Sequence, residues 1–266
     1  MAVTVSELFV YPIKSCAGIN LSEAVVQDRG FKLDRRWMIV DSGGVFISQR
    51  DFPAMCLLTI SLREEEMVIR NDRQLFAPLS IPLTQPENDP IDVLVWRSSC
   101  KAIPVSDKAD DWFSKALGIS CRLVYMPEST KRLVNPEFAK NEEIVSFADG
   151  YPFLVIGQAS INDLNVKLTR PVSVLQFRPN IVFTGSPAYT EDNWEGIRIG
   201  ETVFFRTKNC TRCNVISINP QTAEQDKEPL ATLSKYRKEG NNIIFGAYLI
   251  SSGKGLIKVG DQIESL

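Results

Sequence analysis

Histidine is absent from the 266-residue chain. Its absence removes Ser-His-Asp and Cys-His nucleophile pairs, histidine-ligated zinc or haem, and any imidazole general base. A surplus of charge is lacking too. There are 30 Lys and Arg against 32 Asp and Glu, a formal net charge of −2, and no basic excess points to nucleic acid. No window approaches the roughly 18 apolar residues that a membrane span needs. The opening stretch Met1–Cys16 has no basic n-region and carries Glu7 among its apolar residues, so it does not read as a secretion signal. Four of the six cysteines are scattered (Cys16, Cys56, Cys100 and Cys121), and only Cys210 and Cys213 lie close together. A disulfide framework is not expected in such a chain, and the reading is a reduced, cytoplasmic protein.

The sequence does hold a core-forming mixture, 44% hydrophobic and 23% charged. Most of it alternates between short apolar runs and turn signals. Val3–Tyr11 reads as a first strand. Trp37–Val40 and Val45–Ser48 flank Asp41-Ser42-Gly43-Gly44 as a hairpin. Leu57–Arg63 with Met67–Arg70 forms another pair, and Ile91–Trp96 a further strand. One helix is well signposted: Ser106 as N-cap, Ala109, Trp112, Phe113, Ala116 and Leu117 at helical spacing, and Gly118 as its stop. The chain divides after this helix, with a new strand at Cys121–Tyr125. The second half offers a helix at Ala159–Leu168 and strands at Asn180–Thr184, Ile197–Ile199 and Val203–Lys208. A short helix at Pro229–Arg237 follows, then a terminal hairpin of Ile243–Ile250 and Leu256–Ile263. Many short strands and few helices favour closed or nearly closed barrels, because closure removes exposed edges.

The sharpest chemical feature is Lys208-Asn209-Cys210-Thr211-Arg212-Cys213, at the end of an apolar strand. Neighbouring cations favour the thiolate, the form that attacks or ligates metal. The plainer alternative is two small buried hydrophobes. Zinc is discarded for want of further ligands. A thioredoxin-like pair would open a helix, whereas Asn214–Ile218 reads as strand. Other strand ends also carry cations: Lys14 with Ser15 after Tyr11-Pro12-Ile13, Arg35 in Asp34-Arg35-Arg36-Trp37, and Arg178 in Phe177-Arg178-Pro179-Asn180. Proline after Arg178 predicts extended backbone there. A lysine, a hydroxyl and free N–H groups at a strand end can clasp phosphate, although each segment alone could be an ordinary turn or rim salt bridge. The turn Asp149-Gly150-Tyr151-Pro152 is a weaker anion site of the same kind.

These segments occur in the order of one family, together with Phe147-Ala148-Asp149-Gly150-Tyr151-Pro152-Phe153, Glu228-Pro229-Leu230, Tyr236-Arg237, Phe245-Gly246-Ala247-Tyr248 and Val259-Gly260-Asp261. The chain resembles MOSC-domain proteins of the type that includes the mitochondrial amidoxime-reducing component and its bacterial counterparts. The resemblance implies a β-rich α+β fold: an N-terminal MOSC β-barrel-type domain at 1–119 and a C-terminal MOSC β-barrel domain at 120–266, with a few short helices. It also implies a molybdenum cofactor, Mo-molybdopterin, whose metal takes Cys213 as its protein ligand, a soft thiolate for a metal already held by sulfur. Lys14, Ser15, Arg35, Arg178 and Arg212 match positions around the pterin and its phosphate, and Gly150, Tyr151, Thr211 and Tyr248 match further lining positions. Asp149 is a candidate proton source in the absence of histidine.

The activity implied is reduction of small N-hydroxylated compounds (amidoximes, hydroxylamines, N-hydroxylated nucleobases), with no nucleic-acid or membrane partner. Some relatives carry a plant-type ferredoxin domain with C-x₄-C-x₂-C spacing. That spacing does not occur here, so electrons are expected from a separate ferredoxin- or flavin-type protein. Two other readings stay open: a carrier in which Cys213 holds the cofactor or a persulfide for delivery elsewhere, and a non-catalytic barrel scaffold.

Overall fold

The computed structural model describes residues 2–73 and 76–266. The second half is organised by strands that are apolar on both faces. Phe153–Gly157 is buried along its whole length, the pattern of a strand covered on two sides. One of its faces (Phe153, Val155) joins Val5, Leu8, Ile181, Phe183, Phe204 and Leu249 inside a curled sheet. The other (Leu154, Ile156) joins Phe9, Tyr11, Phe177, Val182 and Phe245 beneath the helix Gln158–Val166.

The sheet runs in the order Ile263–Ser265, Gly196–Ile199, Thr202–Thr211, Asn242–Ser251, Phe153–Gly157, Ile181–Thr184, Thr4–Val10, Ile19–Leu21. Its pairs are antiparallel except Phe153–Gly157 with Ile181–Thr184, whose connection includes the helix. The two ends meet. Thr4 bridges Gln262, Val5 N donates to Asp261 O (2.9 Å), and Ile263 N donates to Val3 O (2.8 Å). Backbone bonding therefore returns the sheet to its first strand and closes the barrel.

In the first half, the strands Trp37–Val40, Arg122–Tyr125, Ser98–Pro104 and Ile91–Val95 make one sheet, and Leu58–Leu62, Glu66–Asn71 and Leu79–Pro82 make a second. A core around Trp37, Leu58, Met67, Phe113 and Leu123 joins them to the helix Asp107–Leu117. That helix is bounded as its sequence reads: Ser106 Oγ accepts from Ala109 N (3.2 Å), and Gly118 closes it at φ 70°.

The two halves exchange strands. Arg122–Tyr125 lies beyond residue 119 yet pairs with Trp37–Val40 and Ser98–Pro104, while Thr4–Val10 belongs to the barrel of the second half. The division expected after residue 119 therefore runs through shared sheets.

Three expectations about elements are corrected. The terminal hairpin does not form: Gly255–Lys258 turns away from Asn242–Ser251 and pairs with Glu23–Gln27, placing Ile257 beside Ala24 in the barrel core. Val45–Ser48 is reduced to isolated bridges, Val40 with Phe46 and Val45 with Leu94, because Phe46 turns toward a cleft. The helix at Pro229–Arg237 is a single turn, Leu230–Leu233.

Gly246, inside the barrel strand Asn242–Ser251, adopts φ +75°, and a Cβ there would lie 2.7 Å from Ile156 Cγ1 and 2.9 Å from Val155 O of the neighbouring strand. We expect Gly246→Ala to cost about 2 kcal/mol or more. In urea titration the midpoint should fall with little change in slope; an unchanged midpoint would show that the strands have room to part.

Candidate functional site

A cleft between the two halves, with about 840 Å³ of empty volume including its open mouth, gathers most of the residues singled out from the sequence. Lys14, Ser15, Arg35, Asp149, Tyr151, Arg178, Thr211, Arg212, Cys213 and Tyr248 all line it. Gly150 is not among the lining residues, and a Cβ on it would meet nothing within 4 Å. Among the described residues the lining holds five cations (Lys14, Arg35, Arg50, Arg178, Arg212) and one carboxylate, Asp149.

The cations are held by the fold before any ligand arrives. Arg35 donates to Asp34 Oδ2 (2.6 Å), Asn180 Oδ1 (3.2 Å) and Arg178 O (3.2 Å). Its guanidinium lies 4.3 Å from the centre of the Tyr11 ring, and Arg178 lies 4.3 Å from the same ring. Arg178 Nη1 donates to Gln49 Oε1 (3.1 Å), while Arg178 Nη2 is buried with no partner. Arg212 Nη2 donates to Phe177 O (3.1 Å), and Arg212 Nε is likewise buried and unpartnered. Buried donors without acceptors carry a desolvation cost that an anion would relieve.

Backbone geometry points the same way. Ser15, Arg35 and Arg178 have φ of 72°, 48° and 54°, left-handed values that side chains other than glycine rarely adopt. For Arg178 this corrects the extended conformation expected before Pro179. The residue ends the 3-10 helix Val174–Phe177, and its backbone turns to send its carbonyl to Arg35 and its side chain over Tyr11.

Burial pushes the Tyr11 phenol up to about 12, so the ring beneath the two guanidinium groups stays neutral. Burial also lowers Arg178 from the ordinary arginine value, with the nearby Arg35 charge adding to the effect and the Tyr11 oxygen opposing it. Tyr151 and Tyr248 stack at 4.7 Å across the cleft wall, and burial raises both phenols, Tyr151 to about 12.

Asp149 has a role different from the one expected. Lys14 Nζ donates to Asp149 Oδ1 (2.5 Å) and Phe147 O (2.9 Å), and Trp96 Nε1 donates to the same carboxylate oxygen (3.1 Å). The side chain is more than half exposed at the mouth of the cleft; desolvation by the cleft wall would raise this carboxyl, but the Lys14 charge and the hydrogen bonds from Lys14 and Trp96 hold it well below the usual carboxylate range. A carboxyl held ionised is an acceptor and an anchor for Lys14, not an acid. Burial meanwhile lowers the Lys14 ammonium from the ordinary lysine value, opposed by Asp149.

The two close cysteines face opposite ways. Cys210 is fully buried among Ile216, Leu233 and Phe245, and burial raises its thiol. Cys213 is exposed at the cleft and accepts from Arg50 Nη2 (3.3 Å). The segment after it is a 3-10 turn, Asn214–Ser217, where strand was expected. The turn buries Ile216, whose carbonyl accepts from Gln176 Nε2 (2.9 Å), so tertiary packing overrides the β-branched composition.

Sequence reasoning missed Gln49, Arg50, Trp96 and Arg132. Arg132 donates to the carbonyls of Ser146, Ala148 and Asp149 and fastens that loop. Nothing in local spacing marks these residues: Gln49, Arg50 and Trp96 become visible only where the first half folds over the second, and Arg132 only in its contacts with the Ser146–Asp149 loop.

Residues 2–120 match the family model for the MOSC N-terminal beta barrel domain and residues 142–264 match the MOSC domain. Fold and site together define a two-part MOSC protein. The chain is 32% identical to mitochondrial amidoxime-reducing component 1 of Mus musculus, covering 99% of this chain and 82% of the mouse protein. It is also 32% identical to mitochondrial amidoxime reducing component 2 of Rattus norvegicus, covering 98% and 82%. A molybdenum cofactor sulfurase of Oryza sativa subsp. japonica matches at 31% identity over 93% of this chain but 32% of the rice protein. The chain belongs to the MOSC family that includes the amidoxime-reducing components. Among the described residues no helix is long and apolar enough to cross a membrane.

The depressed Asp149 carboxyl stabilises the fold at pH values above the ordinary carboxylate pKa of about 3.9, and that stabilisation is lost as pH falls through the lower folded-state value. The stability difference between wild type and Asp149→Asn should therefore be constant near neutrality and narrow below about pH 4. Urea unfolding across that range checks it; a gap unchanged at acid pH would refute the ion pair.

Proposed function

We propose that the cleft holds a molybdenum cofactor, a pyranopterin dithiolene ending in phosphate, and that the protein reduces N-hydroxylated compounds such as amidoximes, hydroxylamines and N-hydroxylated nucleobases. Electrons come from a separate ferredoxin- or flavin-type protein, and the reaction takes place in the cytoplasm. One observation carries this reading: five cations from distant parts of the chain line the same cleft as one exposed thiol, and two of their buried nitrogens, Arg178 Nη2 and Arg212 Nε, have no partner in the protein. The donor set suits the group, since a phosphate takes several N–H bonds from guanidinium groups and a soft thiolate suits a metal already bound by sulfur.

In this reading Arg35, Arg178, Lys14 and Ser15 hold the phosphate end, Thr211 and Arg212 the intervening pterin, and Cys213 the metal. Gly150, with Tyr151, serves through its backbone at the edge of the loop that Arg132 fastens. When bound, the group supplies the two-electron reduction of the N–O bond. The chain's own work is orientation and electrostatics. Lys14 keeps its place through Asp149, and Tyr151 and Tyr248 remain protonated and close the wall against bulk water. Water at the open mouth is the proton source, because Asp149 is held ionised.

The exposure of Cys213 also favours a second reading, a carrier that hands the cofactor or a persulfide sulfur to another protein. Turnover of benzamidoxime with an artificial reductant separates the two.

Protein made in a host able to synthesise the cofactor should contain molybdenum, and Cys213→Ser should lower that content roughly tenfold or more and abolish turnover. Cys210→Ala should keep its metal, because its sulfur is turned into the core. Arg178→Ala should retain roughly tenfold less cofactor at nearly unchanged stability, the loss of one charged phosphate clamp. Full molybdenum content in Arg178→Ala, or metal loss in Cys210→Ala equal to that in Cys213→Ser, would overturn these assignments.

A further inference from the structure

Arg50 belongs to the first half, but its side chain reaches across the cleft to the second. Its Nη2 donates to Cys213 Sγ (3.3 Å) and its Nε to Asn214 Oδ1 (3.2 Å), so the guanidinium is forked over the turn that carries the thiol. The guanidinium also lies 4.7 Å from the centre of the Trp96 ring. Trp96 is an unusual residue to find in its place. It sits between the strands Ile91–Val95 and Ser98–Pro104 at φ 57°, a conformation costly for a bulky side chain, and it is 42% exposed. Burial of the indole does not account for keeping it there. Three contacts fix the ring: Phe46 at 4.8 Å, the N–H bond to Asp149, and Arg50 on its face. Strain retained by such an over-determined setting marks a functional constraint.

We infer that Arg50 is a positioning residue for Cys213, and that Trp96 acts through it as the platform on which its guanidinium is held. The inference rests on the reading of Cys213 as the thiol ligand of the cofactor. A planar guanidinium stacked on an indole loses little freedom when it donates to a sulfur, which a lysine ammonium cannot match. Arg50 thereby fixes the direction of the Cys213 sulfur, and it does so from the opposite half of the molecule.

The test begins with protein free of cofactor. Cys213 is the exposed cysteine of the six, so mild alkylation reports on it first. Rates with anionic iodoacetate and neutral iodoacetamide are compared as a ratio, which cancels the thiol's own reactivity and leaves the local positive charge. Arg50→Gln should lower the ratio roughly threefold, the effect of one neighbouring cation. Trp96→Leu keeps every charge but releases Arg50, and it should lower the ratio as well; Arg50→Lys should fall between wild type and Arg50→Gln.

In protein loaded with cofactor, Arg50→Gln should hold less molybdenum, and its remaining active fraction should show reduced kcat at little-changed KM, partly rescued by Arg50→Lys. A ratio unchanged in both Arg50→Gln and Trp96→Leu would overturn the inference. Should wild-type protein acquire no molybdenum, the cofactor reading falls by itself, and the alkylation ratios still decide whether Arg50 holds the thiol.

Discussion

Two guanidinium groups share one aromatic ring at the centre of this molecule. Arg35 and Arg178 each lie 4.3 Å from the centre of the Tyr11 ring, although like charges repel and both backbones adopt left-handed φ to bring them there. Asp34 neutralises Arg35 directly, and Asn180 and the Arg178 carbonyl take its other bonds. Arg178 has only the Gln49 amide oxygen. Arg178 Nη2 is therefore left without an acceptor, and an anion in the cleft would supply one. The quadrupole of the Tyr11 ring supplies part of the compensation, and the ring can do so because its phenol stays neutral and buried.

This cluster depends on strand exchange between the halves. Tyr11 follows a barrel strand of the second half, Arg35 precedes a strand of the first, and Arg178 caps a turn against the barrel's outer face. Tyr11 N donates to Asp34 Oδ1 (2.8 Å) and Arg35 N to Tyr11 O (2.8 Å), so the junction itself is hydrogen-bonded. A cleft between two independently folded domains could open by rotation. Here the chain crosses the boundary in both directions, through Thr4–Val10 and Arg122–Tyr125, and each half supplies strands to the other's sheet. The cations are thus pre-organised, and little reorganisation remains to be done when a ligand binds.

The sequence was legible where local physics decides. Ser106 and Gly118 bound their helix because capping is a matter of a few neighbouring residues. Strand positions followed the apolar runs, and Lys14, Arg35, Arg178 and Arg212 lie on the cleft, whereas Lys208 does not and sits over the Phe138 ring. Legibility failed where distant segments arbitrate. Gly255–Lys258 reads as the return of a hairpin, yet it pairs with Glu23–Gln27, far away in the chain. Arg178 reads as extended before proline, yet the contact with Tyr11 turns it left-handed. Arg50 and Trp96 carry no motif, since their meaning lies in contacts to Cys213 and Asp149 in the other half. Asp149 shows the same limit in electrostatic form: its residue type permits an acid, but Lys14 and Trp96 dictate an ionised acceptor.

The two neighbouring sulfurs show how a fold assigns chemistry. Strand register turns Cys210 inward, where burial raises its thiol and Phe245 and Leu233 surround it. The strand ends at Thr211, and the 3-10 turn that begins after Cys213 breaks the alternation. Cys213 is itself still extended (φ −124°, ψ −178°), and an odd separation on such backbone already sets it on the face opposite Cys210. The turn that follows buries Ile216, Gln176 anchors the Ile216 carbonyl, and Cys213 stays at the cleft with Arg50 on its sulfur. The same side chain is made inert at one position and available three residues later: alternation reverses the face, and the packed turn behind Cys213 holds its thiol at the cleft.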